Sequence, residues 1–366
     1  MSDQAARDAV ILIPSLEPDE RLPAYIEKLM ESGFSRVVVV DDGSSPSAQP
    51  IFMRIENMPG ACVLHHEVNK GKGVALKTGY RYIQENMPDV SGVITADADG
   101  QHTVRDCLRL AAELEKHEKA LYLGSRDFNL ENIPPKSRSG NKITSAVFKL
   151  LYGHYLPDTQ TGLRAFRREE LPFMMDVEGE RYEYEMKVLI ACARAGIPMI
   201  PIPIETIYEN NNEGSHFHPV RDSWRIYKVI LGSFFRFMAS SLTCVVIDHG
   251  IFNLLNLAVF GNGARKEAQL ILAATVIARI VSGTVNFLLN RKLVFRQKGN
   301  GGRTFLRYIL LSALVMLLSA GGTWLLSQLM PTALAKVIVE TLLYFLSYRM
   351  QQNWVFREEQ SDAENA

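Results

Sequence analysis

The chain has 366 residues, of which 47% are hydrophobic and 22% charged, and its formal net charge is zero. This composition excludes a disordered, collagen-like or disulfide-rich protein, and the length favours two or more domains. Residues 231–366 hold 13 Lys or Arg against 7 Asp or Glu, a net charge of +6, so residues 1–230 carry −6. Because the basic half is also the apolar one, this asymmetry favours contact with a membrane and not with nucleic acid.

From residue 9 to about 125, short apolar runs alternate with amphipathic stretches. The predicted strands are 9–13, 36–40, 62–64, 92–96 and 120–124, and the predicted helices are 19–31, 73–85 and 104–116. Further on, we expect helices at 141–152 and 182–195, a hairpin or loop at 158–166 and a strand at 199–208. Strand–helix alternation with nearly continuous apolar strands predicts an α/β, mostly parallel sheet, whose ligands bind beyond the carboxyl ends of the strands.

Four apolar stretches follow, at about 237–260, 269–290, 305–327 and 333–355. Each is long enough to cross a bilayer as a helix, which takes about 20 residues. The link between the second and third stretches has the most basic residues: Arg291, Lys292, Arg296, Lys298, Arg303 and Arg307. The positive-inside rule places this link, and with it both termini, in the cytosol. The first residues lack a signal peptide, so we expect a multi-pass protein of the inner membrane with its N-terminal domain in the cytosol.

The apolar half contains an apparent duplication. Val294-Phe295-Arg296 closes the second stretch and Val355-Phe356-Arg357 closes the fourth, which predicts two helical hairpins of the same orientation. Asp248 and Arg279 lie near the middle of their stretches, and ionisable groups inside a membrane usually pair or line a pathway. We therefore expect these two side chains to pair.

Polar motifs follow the predicted strands. Asp41-Asp42-Gly-Ser44 ends the second strand, where carboxylates could accept hydrogen bonds from a nucleoside, although the same residues suit a plain turn. Asn69-Lys-Gly-Lys-Gly73 combines glycines, which allow close backbone approach, with lysines that can neutralise phosphate.

A third motif, Asp97-Ala-Asp99-Gly-Gln101, ends the fourth strand. Two carboxylates and an amide at this spacing can converge on Mg²⁺ or Mn²⁺ and the diphosphate that the ion bridges. Arg126 follows the fifth strand, and Arg138 lies a short way beyond it. Arginines near such a site would bind further phosphate oxygens, although a solvated basic face is the alternative.

In their order and spacing, these motifs resemble the family-2 glycosyltransferases of GT-A fold over residues 8–230, and most of all the polyprenyl-phosphate sugar synthases. The segment Asp158-Thr-Gln-Thr-Gly-Leu-Arg-Ala-Phe166 resembles the acceptor side of that family, and Ser215-His-Phe-His-Pro-Val-Arg-Asp-Ser223 resembles its donor-closing loop. Residues 234–357 resemble GtrA-like membrane domains through Asn286-Phe287, Arg291 and Val294-Phe295. The resemblance implies a GT-A (Rossmann-like) catalytic domain followed by an all-α domain of four transmembrane helices.

The resemblance also implies roles for particular residues. The metal ligands would be Asp97, Asp99 and Gln101. The donor nucleotide would be held by Pro14, Glu17, Asp41, Asp42, Lys72, Asp97 and Arg221. The acceptor phosphate would be held by Arg126, Arg138 and Asn141. The residues at the reacting groups would be Asp99, Arg126, Arg138 and Gln160. Glu183 and Glu185 would lie near the site, although a solvated helix start is the alternative. In place of the Tyr-Asn-Glu of many members this chain has Leu16-Glu17-Pro18, a departure at Glu17.

The expected domains are a glycosyltransferase at 1–220, an amphipathic juxtamembrane helix at 221–233, a GtrA-like domain at 234–357 and a polar tail at 358–366. The expected reaction transfers a sugar, with inversion, from a nucleotide-sugar (UDP-glucose or a related donor) to polyprenyl (undecaprenyl) phosphate. GDP-mannose as donor, a flippase role for the membrane half, and a sugar nucleotidyltransferase are the open alternatives. We expect no nucleic-acid partner and consider self-association open.

Overall fold

The computed structural model describes residues 8–116, 119–130, 133, 135–205, 219–255, 268–297 and 301–357. The chain forms two compact units, Met1–Ile230 and Leu231–Ala366. The boundary lies inside one long helix, Pro219–Leu254, so residues 221–233 are part of that helix and not a separate juxtamembrane helix. The predicted polar tail at 358–366 lies outside the described residues.

The N-terminal unit is built on a seven-stranded sheet of order β3-β2-β1-β4-β6-β5-β7. Its strands are β1 Ala9–Ser15, β2 Val37–Asp41, β3 Ala61–His65, β4 Gly92–Thr95, β5 Leu121–Ser125, β6 Arg164–Arg167 and β7 Met199–Pro203. All neighbours pair in parallel except β6, which runs antiparallel to both β4 and β5. The sheet is therefore mostly parallel, as predicted.

Seven α-helices accompany these strands in the described part of the unit. They are α1 Arg21–Glu31, α2 Gln49–Glu56, α3 Lys72–Asn86, α4 Val104–Leu114, α5 Pro135–Tyr152, α6 Leu171–Asp176 and α7 Glu183–Ala195. The five strands predicted before residue 125 are confirmed, as is the helix at 182–195. Helices α2 and α6 were not predicted, and α5 begins six residues before the predicted Asn141.

The core of this unit explains why its central strands form. Every residue of Val37–Val40 is fully buried, as are Ala9–Ile13, which is the pattern of strands covered on both faces. Gly79 of α3 lets the helix lie directly on β1, because a Cβ atom there would come within 2.2 Å of Leu12 Cδ1. The close contact of α3 with β1 fixes the start of α3 above the carboxyl edge of the sheet.

The C-terminal unit is helical. Its helices are the remainder of α8 (Pro219–Leu254), α9 Ala268–Leu289, α10 Gly301–Ser327 and α11 Thr332–Met350. In the described residues, Ile226–Leu254, Gln269–Val294 and Gly301–Ser327 are long and apolar enough to cross a membrane. The fourth predicted span forms a helix, α11, but this helix is not among those apolar enough to cross a membrane. Its 19 residues include Lys336, Glu340 and Arg349, whose charges lower its apolar character.

The predicted duplication is visible in the C-terminal unit. Each hairpin ends in one π-helical turn, Asn290–Val294 after α9 and Gln351–Val355 after α11. The two turns meet: Asn290 Nδ2 donates to Gln351 Oε1 over 2.9 Å, and the rings of Phe295 and Phe356 stack with centroids 5.0 Å apart. Corresponding ends of the two hairpins therefore pack against each other through corresponding residues.

The predicted intramembrane ion pair also forms. Arg279 Nη2 lies 3.5 Å from Asp248 Oδ2, and Ser282 donates a hydrogen bond to the other carboxylate oxygen over 2.9 Å. The second hairpin contains a similar arrangement, because Ser319 donates to Glu340 over 2.6 Å and Lys336 lies 2.7 Å from the same oxygen. In both hairpins, a serine and a cation thus offset the cost of an acidic group within an apolar helix pair.

Candidate active site

The motifs of the N-terminal unit converge because of strand register. The register pairs Ser15 of β1 with Asp41 of β2, and Asp41 with His65 of β3. On the other side of β1, Leu12 pairs with Thr95 at the end of β4. The segments that follow β1, β2, β3 and β4 therefore leave the sheet at the same edge, which is where open α/β sheets bind their ligands.

Asp41 is the last residue of β2, and its side chain is 2% exposed. One carboxylate oxygen accepts the Ser44 amide over 2.8 Å, and the other lies 2.9 Å from His65 Nδ1. Burial by itself raises the pKa of Asp41, but the hydrogen bonds from Ser44 and His65 outweigh it and the net pKa is lowered. For His65, burial lowers the pKa, but the hydrogen bonds to Asp41 and Glu56 outweigh it and the net pKa is raised.

Asp42 is also buried, with its side chain 6% exposed. Its Oδ1 accepts the Lys70 amide over 3.0 Å and lies 2.8 Å from His66 Nδ1. Its Oδ2 accepts the Gly71 amide over 2.7 Å. Both oxygens of Asp42 thus hold the glycine–lysine loop, while its predicted contact with the nucleoside stays a prediction.

Glu17 and Pro14 lie beside this turn. The Glu17 carboxylate accepts the Ser45 amide over 2.6 Å and the Ser45 hydroxyl over 2.8 Å. Glu17 is exposed and has a left-handed φ of 49°, which is uncommon for a residue with a side chain. Glu17 therefore fastens the end of β1 to the turn after β2, and Pro14 is half-buried just before it.

A partly buried ion cluster joins the start of α3, the segment after β4, and α7. The Lys72 ammonium lies 2.7 Å from Asp97 Oδ1 and 2.8 Å from Glu185 Oε1. His102 Nε2 lies 3.2 Å from the other Asp97 oxygen. Gly162 lies against this carboxylate, because a Cβ atom there would come within 2.4 Å of Asp97 Oδ2. The segment around Gly162 can therefore lie this close to Asp97 only with a glycine at that position.

Two opposite pKa shifts follow from this cluster. Burial by itself lowers the pKa of Lys72, but the charges of Asp97 and Glu185 outweigh it and raise that pKa above its ordinary value. For Asp97, burial raises the pKa, but the charge of Lys72 and the hydrogen bond from His102 outweigh it and lower that pKa. Both groups are thus held in their charged forms at neutral pH.

Asp99 and Gln101 form the second half of the predicted metal motif. Asp99 is half-buried, and its Oδ1 accepts the Gln101 amide over 3.0 Å. Burial, and after it the charge of Asp97, raises the pKa of Asp99, so a bound cation would favour its ionised form. Among the described residues, no three His, Cys, Asp or Glu side chains gather as a ready metal cluster.

Arg126, which was predicted to bind the acceptor phosphate, follows β5 and is held by Asp158. Arg126 Nε donates to Asp158 Oδ2 over 2.7 Å and Nη2 donates to Oδ1 over 3.2 Å, while the Asp158 side chain is fully buried. The guanidinium also lies 5.2 Å from the centre of the Phe128 ring. Asp158 Oδ1 in turn accepts the amide of Gln160, whose side chain is exposed. One buried carboxylate therefore orients two predicted site residues.

Arg138 and Asn141 lie on α5. Arg138 Nη2 donates to the Leu130 carbonyl over 2.7 Å, and its buried Nε has no hydrogen-bond partner in the described part of the chain. Asn141 is 2% exposed, and its Oδ1 accepts the Thr159 amide over 3.3 Å. Asn141 thus holds the backbone of the segment that follows Asp158, while the predicted contacts of Arg138 and Asn141 with the acceptor phosphate stay predictions. Arg221 lies on α8, and its side chain is outside the described residues.

Two contributors were missed in the sequence. Both His65 and His66 touch the predicted nucleoside motif. They are the two residues after the predicted strand 62–64, so the same strand-end reasoning that selected Asp41 would have found them. Glu185, which only the family resemblance placed near the site, lies in the first turn of α7 and contacts Lys72.

Comparison with known proteins finds two family profiles in this chain. The glycosyl transferase family 2 profile matches residues 10–171, and the GtrA/DPMS transmembrane domain profile matches residues 236–356. An uncharacterised protein of Methanocaldococcus jannaschii is 29% identical over 229 residues, which is 62% of this chain and 92% of that protein.

Two further relatives have named activities. The UDP-N-acetylglucosamine–dolichyl-phosphate N-acetylglucosaminyltransferase of Methanococcus voltae is 29% identical over 215 residues, 54% of this chain and 85% of that protein. The dolichyl-phosphate beta-glucosyltransferase of Trichomonas vaginalis is 25% identical over 220 residues, 56% of this chain and 67% of that protein. This chain is a membrane glycosyltransferase, in which a glycosyl transferase family 2 domain precedes a GtrA/DPMS transmembrane domain.

Proposed function

We propose that this protein transfers a sugar from a UDP-sugar, such as UDP-glucose, to a polyprenyl phosphate such as undecaprenyl phosphate, with inversion at the anomeric carbon. One observation carries the proposal: a pair of carboxylates, a glycine–lysine loop and Arg126, which is held by the buried Asp158, lie at the same edge of the sheet. That combination provides for a nucleoside, a diphosphate and a second phosphate in one place. The names of the two dolichyl-phosphate relatives support the same acceptor class.

The donor half of the site fits a divalent cation. Asp97, Asp99 and Gln101 offer only oxygen donors, which suits Mg²⁺ or Mn²⁺ better than zinc. A bound cation would offset the raised pKa of Asp99 and favour its ionised form. When bound, the ion would neutralise charge on the leaving diphosphate. Lys72 would contribute to the same neutralisation, and Asp41 would accept from the base or ribose, with Pro14, Glu17, Asp42 and Arg221 proposed beside it.

The acceptor half needs no strong base, because a phosphate oxygen is already anionic. That oxygen attacks the anomeric carbon, the bond to the nucleoside diphosphate breaks, and the diphosphate leaves with the bonding electrons. Arg126, oriented by Asp158, and Arg138, whose Nε has no hydrogen-bond partner among the described residues, would hold the acceptor phosphate. Gln160 would contact the reacting groups and Asn141 would lie behind them. Catalysis would come from positioning and charge neutralisation.

The proposed location is the cytosolic face of the inner membrane. The basic link after α9 supports a topology in which this link and both termini are cytosolic. GDP-mannose as donor, self-association, and a fourth membrane span through α11 stay predictions. A reporter fused after residue 366 tests the topology, since a periplasmic C-terminus would contradict it.

The deciding experiment uses the full chain in lipid nanodiscs with citronellyl phosphate and radiolabelled UDP-, GDP- or dTDP-sugars. We expect label to enter the lipid product with one class of nucleotide, and only with Mg²⁺ or Mn²⁺. Asp99→Asn should lower this transfer at least about 100-fold, since one preorganised charge contact is typically worth that much. Its matched control is Asp176→Asn at the exposed end of α6, which should retain full transfer.

Two outcomes would contradict the proposal. Transfer that Asp99→Asn leaves unchanged would remove Asp99 from the site. Hydrolysis of the donor without any transfer to citronellyl phosphate, in a preparation that retains the folded chain, would rule out the proposed acceptor.

A further inference from the structure

His66 connects two elements at the edge of the sheet. It comes directly after β3, and its side chain is 6% exposed. Its Nδ1 lies 2.8 Å from Asp42 Oδ1, and its Nε2 lies 3.0 Å from Thr78 Oγ1 on α3. A carboxylate only accepts hydrogen bonds, so Nδ1 is the donor in the first contact. The imidazole therefore fixes the Asp42 carboxylate relative to α3.

Asp42 passes this constraint on to the loop before α3. Its two oxygens accept the amides of Lys70 and Gly71 over 3.0 and 2.7 Å. Gly71 has a φ of +100°, and a Cβ atom there would come within 2.5 Å of the Glu180 carbonyl oxygen. The backbone conformation of the loop therefore depends on a glycine at position 71 and on the Asp42 carboxylate.

The loop in turn places Lys72. Lys72 is the first residue of α3, directly after the amide that Asp42 holds. Its ammonium reaches both Asp97 and Glu185 at 2.7–2.8 Å. A shift of the Gly71 amide would therefore move the ammonium away from the position between these carboxylates.

We propose that His66 is a positioning residue for the donor diphosphate. Acting through Asp42, it holds the Lys70–Gly71 amides and Lys72 in the arrangement that receives the diphosphate of the nucleotide-sugar. In this assignment Asp42 shapes the loop that precedes α3. The inference rests on the proposed function, because it concerns the donor site of that reaction.

The test compares His66→Leu with His66→Asn in full-length protein in nanodiscs. Leucine removes both hydrogen bonds, whereas the asparagine amide can still donate to Asp42 from nearly the position of Nδ1. Because the hydrogen bond of His66 to the Asp42 carboxylate is a charge-assisted one, His66→Leu should raise the KM for the UDP-sugar at least about 10-fold. The KM for citronellyl phosphate should not change, and His66→Asn should recover most of the loss.

A purely structural role would behave differently. Tyr152→Phe is the control, because it removes a buried hydrogen bond of 2.9 Å to the Ile230 carbonyl far along the chain from the loop. It should lower the melting temperature without changing either KM. If His66→Leu does not fold, His66→Gln provides the second variant. Its amide lies nearer the position of Nε2, beside Thr78, than that of Nδ1, beside Asp42, so it should raise the same donor KM.

An unchanged donor KM in a folded His66→Leu variant would overturn the inference, as would an equal rise in both KM values. Binding of UDP with Mn²⁺, measured by calorimetry without any acceptor, separates this inference from the proposed function. If wild type transfers no sugar to citronellyl phosphate, the proposed function fails. A weaker UDP affinity in His66→Leu would still support the positioning role.

Discussion

Replacing Lys72 by methionine should lower the free energy of unfolding of the N-terminal unit more than the same replacement of Lys70 would. The substitution keeps most of the apolar stem but removes the charge that separates Asp97 from Glu185. The side chains of Lys72 and Glu185 are 16% and 13% exposed, and that of Asp97 is 31% exposed. Breaking a buried ion pair costs about 3–5 kcal/mol, and the partial exposure of Asp97 favours the lower value, about 3 kcal/mol.

The pH of the assay follows from the two pKa shifts. The raised pKa of Lys72 means that its contribution is complete below its ordinary pKa near 10.5 and is lost only as pH rises through the folded value. The lowered pKa of Asp97 means that its contribution is complete above about 3.8 and is lost as pH falls through the folded value. The full loss of stability caused by Lys72→Met should therefore be measurable at pH 7.5.

Pulse proteolysis across a urea series, with the full chain in nanodiscs, measures the free energy of unfolding of the N-terminal unit. Lys77→Met is the matched control on the same helix, because Lys77 lies 5.1 Å from the centre of the Tyr184 ring. Such a contact is worth about 0.5–1 kcal/mol. Adding Asp97→Asn to Lys72→Met should recover part of the loss, since it removes one of the two facing charges. A loss below about 1 kcal/mol, or one equal to that of Lys77→Met, would refute the reasoning.

Three further predictions concern other parts of the same unit. Asp158→Asn should raise the KM for citronellyl phosphate about 10-fold or more, while the UDP-sugar KM stays unchanged, because it loosens the bidentate hold on Arg126; equal effects on both KM values would contradict this. Wild type has a contribution to stability from His65 that is complete below pH 6.5 and is lost as pH rises through the raised pKa of His65. His65→Gln should lack this contribution. Melting temperatures measured from pH 5 to 9 that change in parallel for the two proteins would contradict this. Cys107, whose pKa burial raises to about 12, should resist maleimide at pH 8 in the folded protein while the half-buried Cys62 reacts; mass spectrometry of the labelled peptides checks this.

The sheet could be predicted because its central strands are apolar throughout. Val37–Val40 shows no alternation of apolar and polar residues, and all four residues are buried. The sequence pattern and the packing therefore agree. Strand β6 has a weaker pattern, because Arg164-Ala-Phe-Arg167 has charged ends and only four residues. Its place between β4 and β5 comes from long-range antiparallel pairing, which no local pattern encodes.

The membrane half shows a similar division. The apolar character of α8, α9 and α10 predicted spans directly. The meeting of Asn290 with Gln351 could not be predicted, because the two turns are 61 residues apart in sequence. The repeated Val-Phe-Arg sequence indicated that two hairpins end alike, but not that their ends bind each other.

The adjacent carboxylates Asp41 and Asp42 show why spacing alone does not assign site roles. Successive side chains at the end of a strand point to opposite faces of the sheet, so the two carboxylates cannot share one ligand in the same way. The parallel register then places His65 beside Asp41, and the next pair in both segments, His66 and Asp42, meets on the other face. The pair of histidines thus matches the pair of aspartates, one contact to each face. Asp41 therefore holds the turn after β2, whereas Asp42 holds the glycine–lysine loop, and this distinction depends on hydrogen bonds that the sequence pattern does not contain.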